Sequence, residues 1–320
     1  MYFQFFAIVD VLGILPQDWD SEPVTTHSFI PEAKFMVPVN GGELALFRYG
    51  PAGGKPVLLL HGITSSNRAW PFFAKELIAR GFTPFAPDLR GRGESNNIEG
   101  PFGMAAHAHD MAAVIDYLGF EKMEVIGHSM GAFVGVTLTG IYPEKVSRLV
   151  FIDGGVLFPL PEGFTVEQIT PLILGQTLAR LSMKFESTQA YRDFWKTNPA
   201  LGNVWSPELD EYSDYDLEGT PPNLHPRTSI KALEEDVRDE FEGDSIPKSC
   251  AGLRDEVLLV RTTRGLQDEE SPLYPLAPLT VLLEHYPKIT VQTLENLNHY
   301  SVVMSSEGAA RCVSLIYGEV

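Results

Sequence analysis

Short apolar runs alternate along the chain with segments in which apolar residues recur every three or four positions. The runs have the length of buried β-strands and the periodic segments that of helices, and this alternation is typical of a mostly parallel sheet covered on both faces. The predicted strands are, in order, AKFMVPV, ELALFRYG, PVLLLHG, TPFAPDL, MEVIGHS, RLVFIDG, EVLLVRT and ITVQTLE. The turn sequence NGG between the first two predicts an antiparallel hairpin. We therefore expect an α/β fold built on a mostly parallel, eight-stranded sheet.

The alternation of strands and helices stops after Asp153. Helices are predicted over residues 70–80, 104–118, 130–142, 276–285 and 307–317, whereas residues 156–246 contain helical pieces that are interrupted by proline and rich in Phe, Tyr and Trp. A structureless loop of this length is rare in a compact domain, so we expect a helical cap inserted after the sixth strand. Such a cap would cover the carboxyl ends of the strands, where open α/β sheets bind ligands. The predicted domains are a core, residues 1–155 and 247–320, and a cap, residues 156–246.

The formal net charge of −18 argues against several classes of partner. A chain this acidic repels nucleic-acid backbones and anionic membrane surfaces, so we expect neither, and a small-molecule substrate instead. The apolar residues 1–20 lack a basic beginning and a small-residue cleavage site, and Asp10 interrupts them before they reach the length of a membrane span. We interpret this segment as a packed leader of a cytoplasmic protein. The sequence gives no indication of the oligomeric state.

Ser129 lies in the most informative motif of the chain. Gly127-His128-Ser129-Met130-Gly131 fits the pattern G-x-S-x-G, and it has a buried strand, MEVIGHS, before it and an apolar helix, MGAFVGVTLTGIY, after it. A strand-to-helix turn this sharp forces the serine into a strained backbone conformation, and the flanking glycines let the strand and the helix approach each other. The serine hydroxyl would then project from the top of the sheet, so we expect Ser129 to be a nucleophile.

Three further segments complete a resemblance to the α/β-hydrolase family, over residues 35–155 and 250–320. LLLHGITSS resembles the oxyanion loop of that family, APDLRGRGES resembles the turn after the next strand, and LENLNHYSVV resembles the loop that carries the catalytic histidine. The resemblance implies that His299 is the general base and that the backbone N–H groups of Ile63 and Met130 form the oxyanion hole. We expect His61 to shape its turn through hydrogen bonds and His128 to pack beside the nucleophile.

The carboxylate partner of His299 has two candidates. In most of the family this acid follows the seventh strand, but here the corresponding residues, Thr262-Thr263-Arg264-Gly265, contain no carboxylate, and Asp268 comes a few residues later. Asp153 closes the sixth strand, as the acid does in relatives such as haloalkane dehalogenases and zearalenone-type lactonases. We predict Asp153 as the acid, with Asp268 as the alternative.

The residue at the turn also restricts the reaction. A serine, rather than an aspartate, argues against the epoxide hydrolase and haloalkane dehalogenase branches, whose chemistry passes through an ester on an enzyme carboxylate. We expect a serine hydrolase that cleaves a carboxylic ester or lactone with an apolar acyl part through an acyl-enzyme. A C–C bond hydrolase, a perhydrolase and a non-catalytic ligand-binding protein are the alternatives. No cofactor is expected, and no metal either, because His107 and His109 are two positions apart and do not share a helix face.

Overall fold

The strands predicted from the apolar runs are present in the computed structural model, which describes residues 29–319 without the side chains of residues 173 and 176. The predicted leader, residues 1–20, lies outside the described residues. The described strands are β1 (Ala33–Val39), β2 (Gly42–Arg48), β3 (Lys55–Leu60), β4 (Phe82–Pro87), β5 (Met123–His128), β6 (Val146–Ile152), β7 (Leu217–Glu218), β8 (His225–Pro226), β9 (Val257–Thr262) and β10 (Ile289–Leu294).

Eight of the described strands form one sheet, in the order β1-β2-β4-β3-β5-β6-β9-β10. Strand β2 runs antiparallel to β1 and to β4, and the other neighbouring strands run parallel. Asn40 and Gly41 form the two-residue turn of the β1–β2 hairpin, and Gly41 has a φ of 89°, which a glycine adopts without strain. The prediction of a mostly parallel, eight-stranded sheet is confirmed.

The described helices cover both faces of this sheet or lie in the segment between β6 and β9. They are α1 (Pro71–Ala79), α2 (Met104–Tyr117), α3 (Met130–Ile141), α4 (Val166–Leu181), α5 (Thr188–Lys196), α6 (Pro207–Tyr215), α7 (Ile230–Glu242), α8 (Ser245–Ala251), α9 (Leu276–Leu283), α10 (Ser301–Met304) and α11 (Ser306–Tyr317). None of these described helices combines the length and the apolar character that a membrane crossing requires.

Alternate residues of the central strands pack on opposite faces of the sheet. Leu58, Val125 and Phe151 join the apolar cluster that includes α2 and α3, whereas Leu59 and Ile126 join the cluster that includes α1 and α11. Every residue of β4 and β5 is buried, which explains why these strands are mostly apolar rather than alternating, with Glu124, paired to Lys55 and Arg148, as the acidic exception within them. The central strands therefore end rigidly at their carboxyl edge, where the candidate site residues lie.

The chain between β6 and β9 contains α4 to α8, so the predicted helical cap after strand six is confirmed. We name residues 156–246 the cap segment. The expectation that this segment holds no strand is wrong in one detail, because β7 and β8 pair antiparallel within it. Two residues are too few to produce an alternating pattern, so the sequence does not reveal them. The division into two domains stays a prediction. Helix α8 spans the proposed boundary and packs against α3 of the core, where Gly140 approaches Ser249.

Helix α7 forms the inner side of the cap segment. It begins after Ser229, whose hydroxyl accepts a hydrogen bond of 3.2 Å from the backbone N–H three residues later, a standard N-cap. Leu233 and Val237 are buried one turn apart and fix which face of the helix points inward. The same face carries Asp236 and Glu240, and both of these carboxyl groups are buried.

Candidate active site

Ser129 occupies a sharp turn between β5 and α3. Its φ of 54° and ψ of −124° lie outside the conformations that non-glycine residues ordinarily adopt, and its N–H donates a hydrogen bond of 3.0 Å to the carbonyl of Ile152. A Cβ at Gly127 would lie 2.3 Å from the carbonyl oxygen of Gly131, and a Cβ at Gly131 would lie 2.0 Å from that of Leu60. Side chains are therefore excluded on both sides of the turn, as the G-x-S-x-G pattern requires.

His299 follows β10 and is only 3% exposed. Its Nδ1 lies 2.8 Å from Oδ2 of Asp153, and because a carboxylate can only accept, Nδ1 is the donor. The imidazole then has its Nε2 free to accept a proton. Ser129 and His299 line the same cavity. The geometry thus brings Ser129, His299 and Asp153 together, each on the turn after a different strand of the sheet.

Asp153 is held by the neighbouring strand β9. Its φ is 46°, its N–H donates 2.8 Å to the carbonyl of Val260, and its carboxylate is fully buried. The N–H of Thr262 donates to Oδ1 of this carboxylate at 3.1 Å, and the single hydroxyl proton of Thr262 is shared between Oδ2 at 3.2 Å and the carbonyl of Arg264 at 3.1 Å. The last residue of β9 thus orients the carboxylate of Asp153, which follows β6.

Asp268 lies in a different environment. Its Oδ1 accepts hydrogen bonds from Arg264 Nε at 2.7 Å and from Asn298 Nδ2 at 3.1 Å, and its side chain is 28% exposed. Partial burial would raise the pKa of Asp268, but the hydrogen bonds from these two side chains outweigh it and lower the pKa. Asn298 precedes His299, so Asp268 contacts the loop that carries the histidine, while the histidine ring contacts Asp153.

The two backbone N–H groups expected in the oxyanion hole belong to Met130, which follows Ser129 at the start of α3, and to Ile63, which follows Gly62. Within residues 29–319, neither donates a hydrogen bond to a backbone carbonyl. The chain passes very close to the serine here, because a Cβ at Gly62 would lie 3.2 Å from the Cβ of Ser129. The carbonyl of Ile63 accepts a hydrogen bond of 2.8 Å from Arg92 Nε, which fixes the orientation of this loop.

Two histidines near the serine support the surrounding backbone. His61 Nδ1 donates 2.8 Å to the carbonyl of Gly62 and its Nε2 accepts 2.9 Å from the N–H of Leu89, while burial lowers the pKa of His61 to about 3 and keeps the ring neutral. His128 Nε2 donates 2.8 Å to the carbonyl of His299, and burial followed by the neighbouring His299 holds the pKa of His128 well below its ordinary value. We expected His128 only to pack beside the nucleophile. No pattern in the sequence indicates its hydrogen bond to the carbonyl of His299.

A cavity of about 170 Å³ opens in front of Ser129. Its walls come from both the core and the cap segment and are largely apolar. The lining residues are Ile63, Ser129, Met130, Phe133, Val156, Leu157, Phe158, Thr170, Leu174, Val237, Glu240, Phe241, Leu266, Leu273, Tyr274 and His299. Glu240 is the one acidic side chain among the described residues of this wall. The sequence does not indicate that Glu240 lines a cavity, because it is one of many acidic residues in this segment.

The cap segment is fastened to the core beside this cavity by a buried ion pair between Arg92 and Asp236 of α7. The same carboxylate accepts a 2.7 Å hydrogen bond from the N–H of Gly103 and lies 3.1 Å from His107 Nε2. Burial alone would raise the pKa of Asp236, but the charge of Arg92, with a further contribution from His107, lowers it below the ordinary range. Arg92 thus connects a carboxylate of the cap to the carbonyl of Ile63.

The chain is similar to known proteins over most of its length. The 2-(acetamidomethylene)succinate hydrolase of Mesorhizobium japonicum is 25% identical over 86% of this chain and 92% of its own length. A crystal structure of E-2-(acetamidomethylene)succinate hydrolase superposes with a TM-score of 0.70 at 24% identity, covering 88% of this chain and 98% of that chain, a likeness that concerns the fold.

Other relatives match over shorter stretches. Lipase LipV of Mycobacterium tuberculosis is 33% identical over 41% of this chain and 48% of its own length, and an uncharacterized protein of the same species is 33% identical over 32% of this chain and 30% of its own. This chain therefore spans less than half the length of these relatives. The family model described as alpha/beta hydrolase fold matches residues 55–221. With this match over more than half of its length, the chain belongs to the α/β-hydrolase fold family.

Proposed function

We propose that this chain is a serine hydrolase that cleaves a carboxylic ester or lactone with an apolar acyl part through an acyl-enzyme. The observation that supports this most strongly is the 2.8 Å hydrogen bond between His299 Nδ1 and Asp153, with Ser129 on the wall of the same cavity. A serine hydroxyl is a weak nucleophile until an oriented imidazole takes its proton, and these three groups supply the nucleophile, the base and the group that orients the base.

In the proposed cycle the hydroxyl of Ser129 attacks the carbonyl carbon of the ester while its proton passes to His299 Nε2. The charge that develops on the carbonyl oxygen is stabilised by the N–H groups of Ile63 and Met130, which need no reorganisation because both are backbone donors. The tetrahedral intermediate collapses, and His299 gives its proton to the departing alkoxide. A water molecule then repeats the sequence on the acyl-enzyme, releasing the acid and restoring Ser129. Asp153 stays ionised and stabilises the imidazolium that forms in each half.

The serine at the turn separates this proposal from the activities of some relatives. One of them, 34% identical over 41% of this chain, is a soluble epoxide hydrolase of a Corynebacterium species. Chemistry through an ester on an enzyme carboxylate requires a carboxylate at position 129, where this chain has a hydroxyl. Acyl transfer through Ser129 requires no such group.

The cavity wall supports an apolar acyl part. Without Ile63 and Met130, whose backbone would form the oxyanion hole, ten of the lining residues are aliphatic or aromatic. Phe133, Phe158 and Phe241 are among them. The relative from Mesorhizobium is named for a succinate, which is a dicarboxylate. Within the described residues no lysine or arginine lines this cavity, so a dicarboxylate would have no cation to pair with. We therefore propose a different substrate class for this chain.

Labelling with a fluorophosphonate probe tests the nucleophile. The wild-type chain should label at one site, and Ser129→Ala should abolish the labelling and lower kcat on p-nitrophenyl esters by about 10⁴-fold or more. Ser147→Ala, which removes an exposed serine, is the matched control and should label normally. Circular dichroism and the unfolding temperature verify that each variant is folded. A folded wild-type chain that does not label, or a Ser129→Ala variant that does, would rule the proposal out.

A further inference from the structure

Glu240 is a buried carboxyl group on the wall of the candidate active-site cavity. It lies on α7, is 8% exposed, and lines the same cavity as Ser129 and His299. Its Oε1 is shielded from solvent and has no hydrogen-bond partner among the described residues. Burying a carboxyl oxygen without a partner costs free energy, whereas an apolar residue at this position would match the rest of the wall. A group that enters the cavity and donates a hydrogen bond would remove this cost.

The charged groups near Glu240 indicate which charge a ligand group that bonds to its carboxyl group should carry. Burial, reinforced by the negative charges of Asp236 and Asp239, raises the pKa of Glu240 to about 8, while Arg92 acts in the opposite direction. Arg92 is already engaged by Asp236 and by the carbonyl of Ile63 and does not bond to Glu240. The nearby hydroxyl of Tyr274 donates to the carbonyl of Val156 at 2.7 Å. Two carboxylates, those of Asp236 and Asp239, thus act on Glu240, and no cationic side chain among the described residues is bonded to its carboxyl group.

A positively charged nitrogen fits these surroundings better than the other polar groups that a substrate can carry. It would donate to the carboxylate oxygens, and its charge would favour the ionised form of Glu240, which would release its proton to solvent as the ligand binds. The aromatic rings of Phe158 and Phe241 line the same cavity and can contact a cation through their faces. A substrate carboxylate would instead meet Glu240 with no lysine or arginine among the described lining residues.

We propose that Glu240 is a specificity-determining residue that binds an ammonium group of the substrate. Esters whose acyl chain ends in an ammonium group should therefore be preferred, and esters whose acyl chain ends in a carboxylate should be rejected. This inference rests on the proposed hydrolase function, since it concerns the substrate of that same site.

Three p-nitrophenyl esters with acyl chains of equal length test the inference through their kcat/KM values. The chains end in a methyl, an ammonium or a carboxylate group. The wild-type chain should prefer the ammonium ester to the methyl ester by at least about tenfold, the size expected of a charge-assisted hydrogen bond, and should turn over the carboxylate ester most slowly. Glu240→Gln keeps the shape of the side chain, removes its charge, and should reduce the ammonium-to-methyl ratio to about one.

Glu234→Gln is the matched control. Glu234 lies on the same helix but is exposed, so this variant removes the same charge without changing the cavity, and its ammonium-to-methyl ratio should equal that of the wild type. If Glu240→Gln keeps the wild-type ratio, or if Glu234→Gln loses it to the same extent, the preference does not come from a contact with Glu240 and the inference is wrong.

Equilibrium binding separates a failure of this inference from a failure of the hydrolase proposal. Calorimetry with alkylammonium ions and with alcohols of equal chain length requires no turnover, and the wild-type chain should bind the ammonium ion more tightly while Glu240→Gln should not. Absence of all ester turnover together with this ammonium preference would refute the hydrolase proposal and leave the cation site. Turnover of esters without any ammonium preference would refute the cation site and leave the hydrolase.

Discussion

Two regions face the same cavity, the turns that follow the strands of the sheet and the cap segment. Different kinds of contact hold these two regions in place. Ser129 and Asp153 have positive φ values, and their N–H groups bond to carbonyls of neighbouring strands or of the residues that end them. The cap segment is instead fastened to the core mainly by side chains, through the buried pair Arg92–Asp236 and through Arg180, which donates to the carbonyl of Thr64, besides one backbone hydrogen bond from Ser229 to Gly91. Backbone contacts hold the proposed chemistry, whereas side-chain contacts hold the wall that would select the substrate.

This difference implies that the two regions respond differently to substitution. A change at a strand-end turn that keeps the backbone conformation should alter the reaction with little effect on folding. A change in the cap segment that removes one charge of a buried pair should alter stability first, because the remaining charge is left without a partner. Substitutions that keep side-chain shape and remove charge are therefore the most informative in both regions.

Asp153→Asn and Asp268→Asn form the most direct test within the strand-end turns. Both aspartates have positive φ values, which asparagine tolerates well, so both variants should fold. Asparagine at position 153 no longer fixes the protonation of His299 Nδ1, and kcat should fall by about 10³- to 10⁴-fold. Asp268→Asn should lower kcat by less than about tenfold, because the carboxylate of Asp268 bonds to Arg264 and to Asn298 of the histidine loop but not to the ring of His299.

Steady-state kinetics on p-nitrophenyl esters measure kcat for the two purified variants. Circular dichroism verifies that both variants are folded. If Asp268→Asn abolishes turnover and Asp153→Asn does not, the acid is Asp268, and the hydrogen bond between Asp153 and His299 has no catalytic role.

Asp236→Asn tests the attachment of the cap segment. Removing one charge of the buried pair with Arg92 should lower the free energy of unfolding by about 3–5 kcal/mol. Because Arg92 also holds the carbonyl of Ile63, kcat should fall while KM changes little, as expected when transition-state stabilisation is weakened. Urea unfolding and steady-state kinetics measure both effects. Glu234→Gln, an exposed change on the same helix, is the control, and equal stability of Asp236→Asn and this control would contradict the role given to the pair.

Glu240→Gln should produce the smallest of the three effects, and one that depends on pH. The pKa of Glu240 is raised from 4.5 to about 8 by folding, so between these values the folded chain holds a proton that the unfolded chain has lost. The free energy of unfolding contributed by this group therefore falls as pH rises through that window. Glutamine has no such proton, so from about pH 5 to about pH 8.5 the variant should gain about 3–4 kcal/mol relative to the wild type.

Urea unfolding at the two pH values measures this gain. A stability difference between Glu240→Gln and the wild type that is the same at both pH values would show that the carboxyl group of Glu240 does not titrate differently in the folded and unfolded chains.

The sheet and the turn at Ser129 could be predicted from the sequence because their signals are local. Apolar runs reveal strands, and glycines beside a serine reveal a turn whose neighbours leave no space for a Cβ. The resemblance to a known family led to Asp153 as the partner of His299, but the hydrogen bond from Thr262 to Asp153 and the position of Glu240 on the cavity wall could not be predicted, because they depend on residues far apart in the chain. No sequence pattern indicates that Thr262 donates to Asp153. None indicates that His128 donates to the carbonyl of His299 either.

Arg92 joins Asp236 of α7 to the carbonyl of Ile63, so one guanidinium group links the cap segment to the loop that carries a proposed oxyanion donor. A substitution that displaces α7 is therefore expected to disturb the orientation of this loop as well as the wall of the cavity. Substrate preference and catalytic rate are then coupled through a single side chain.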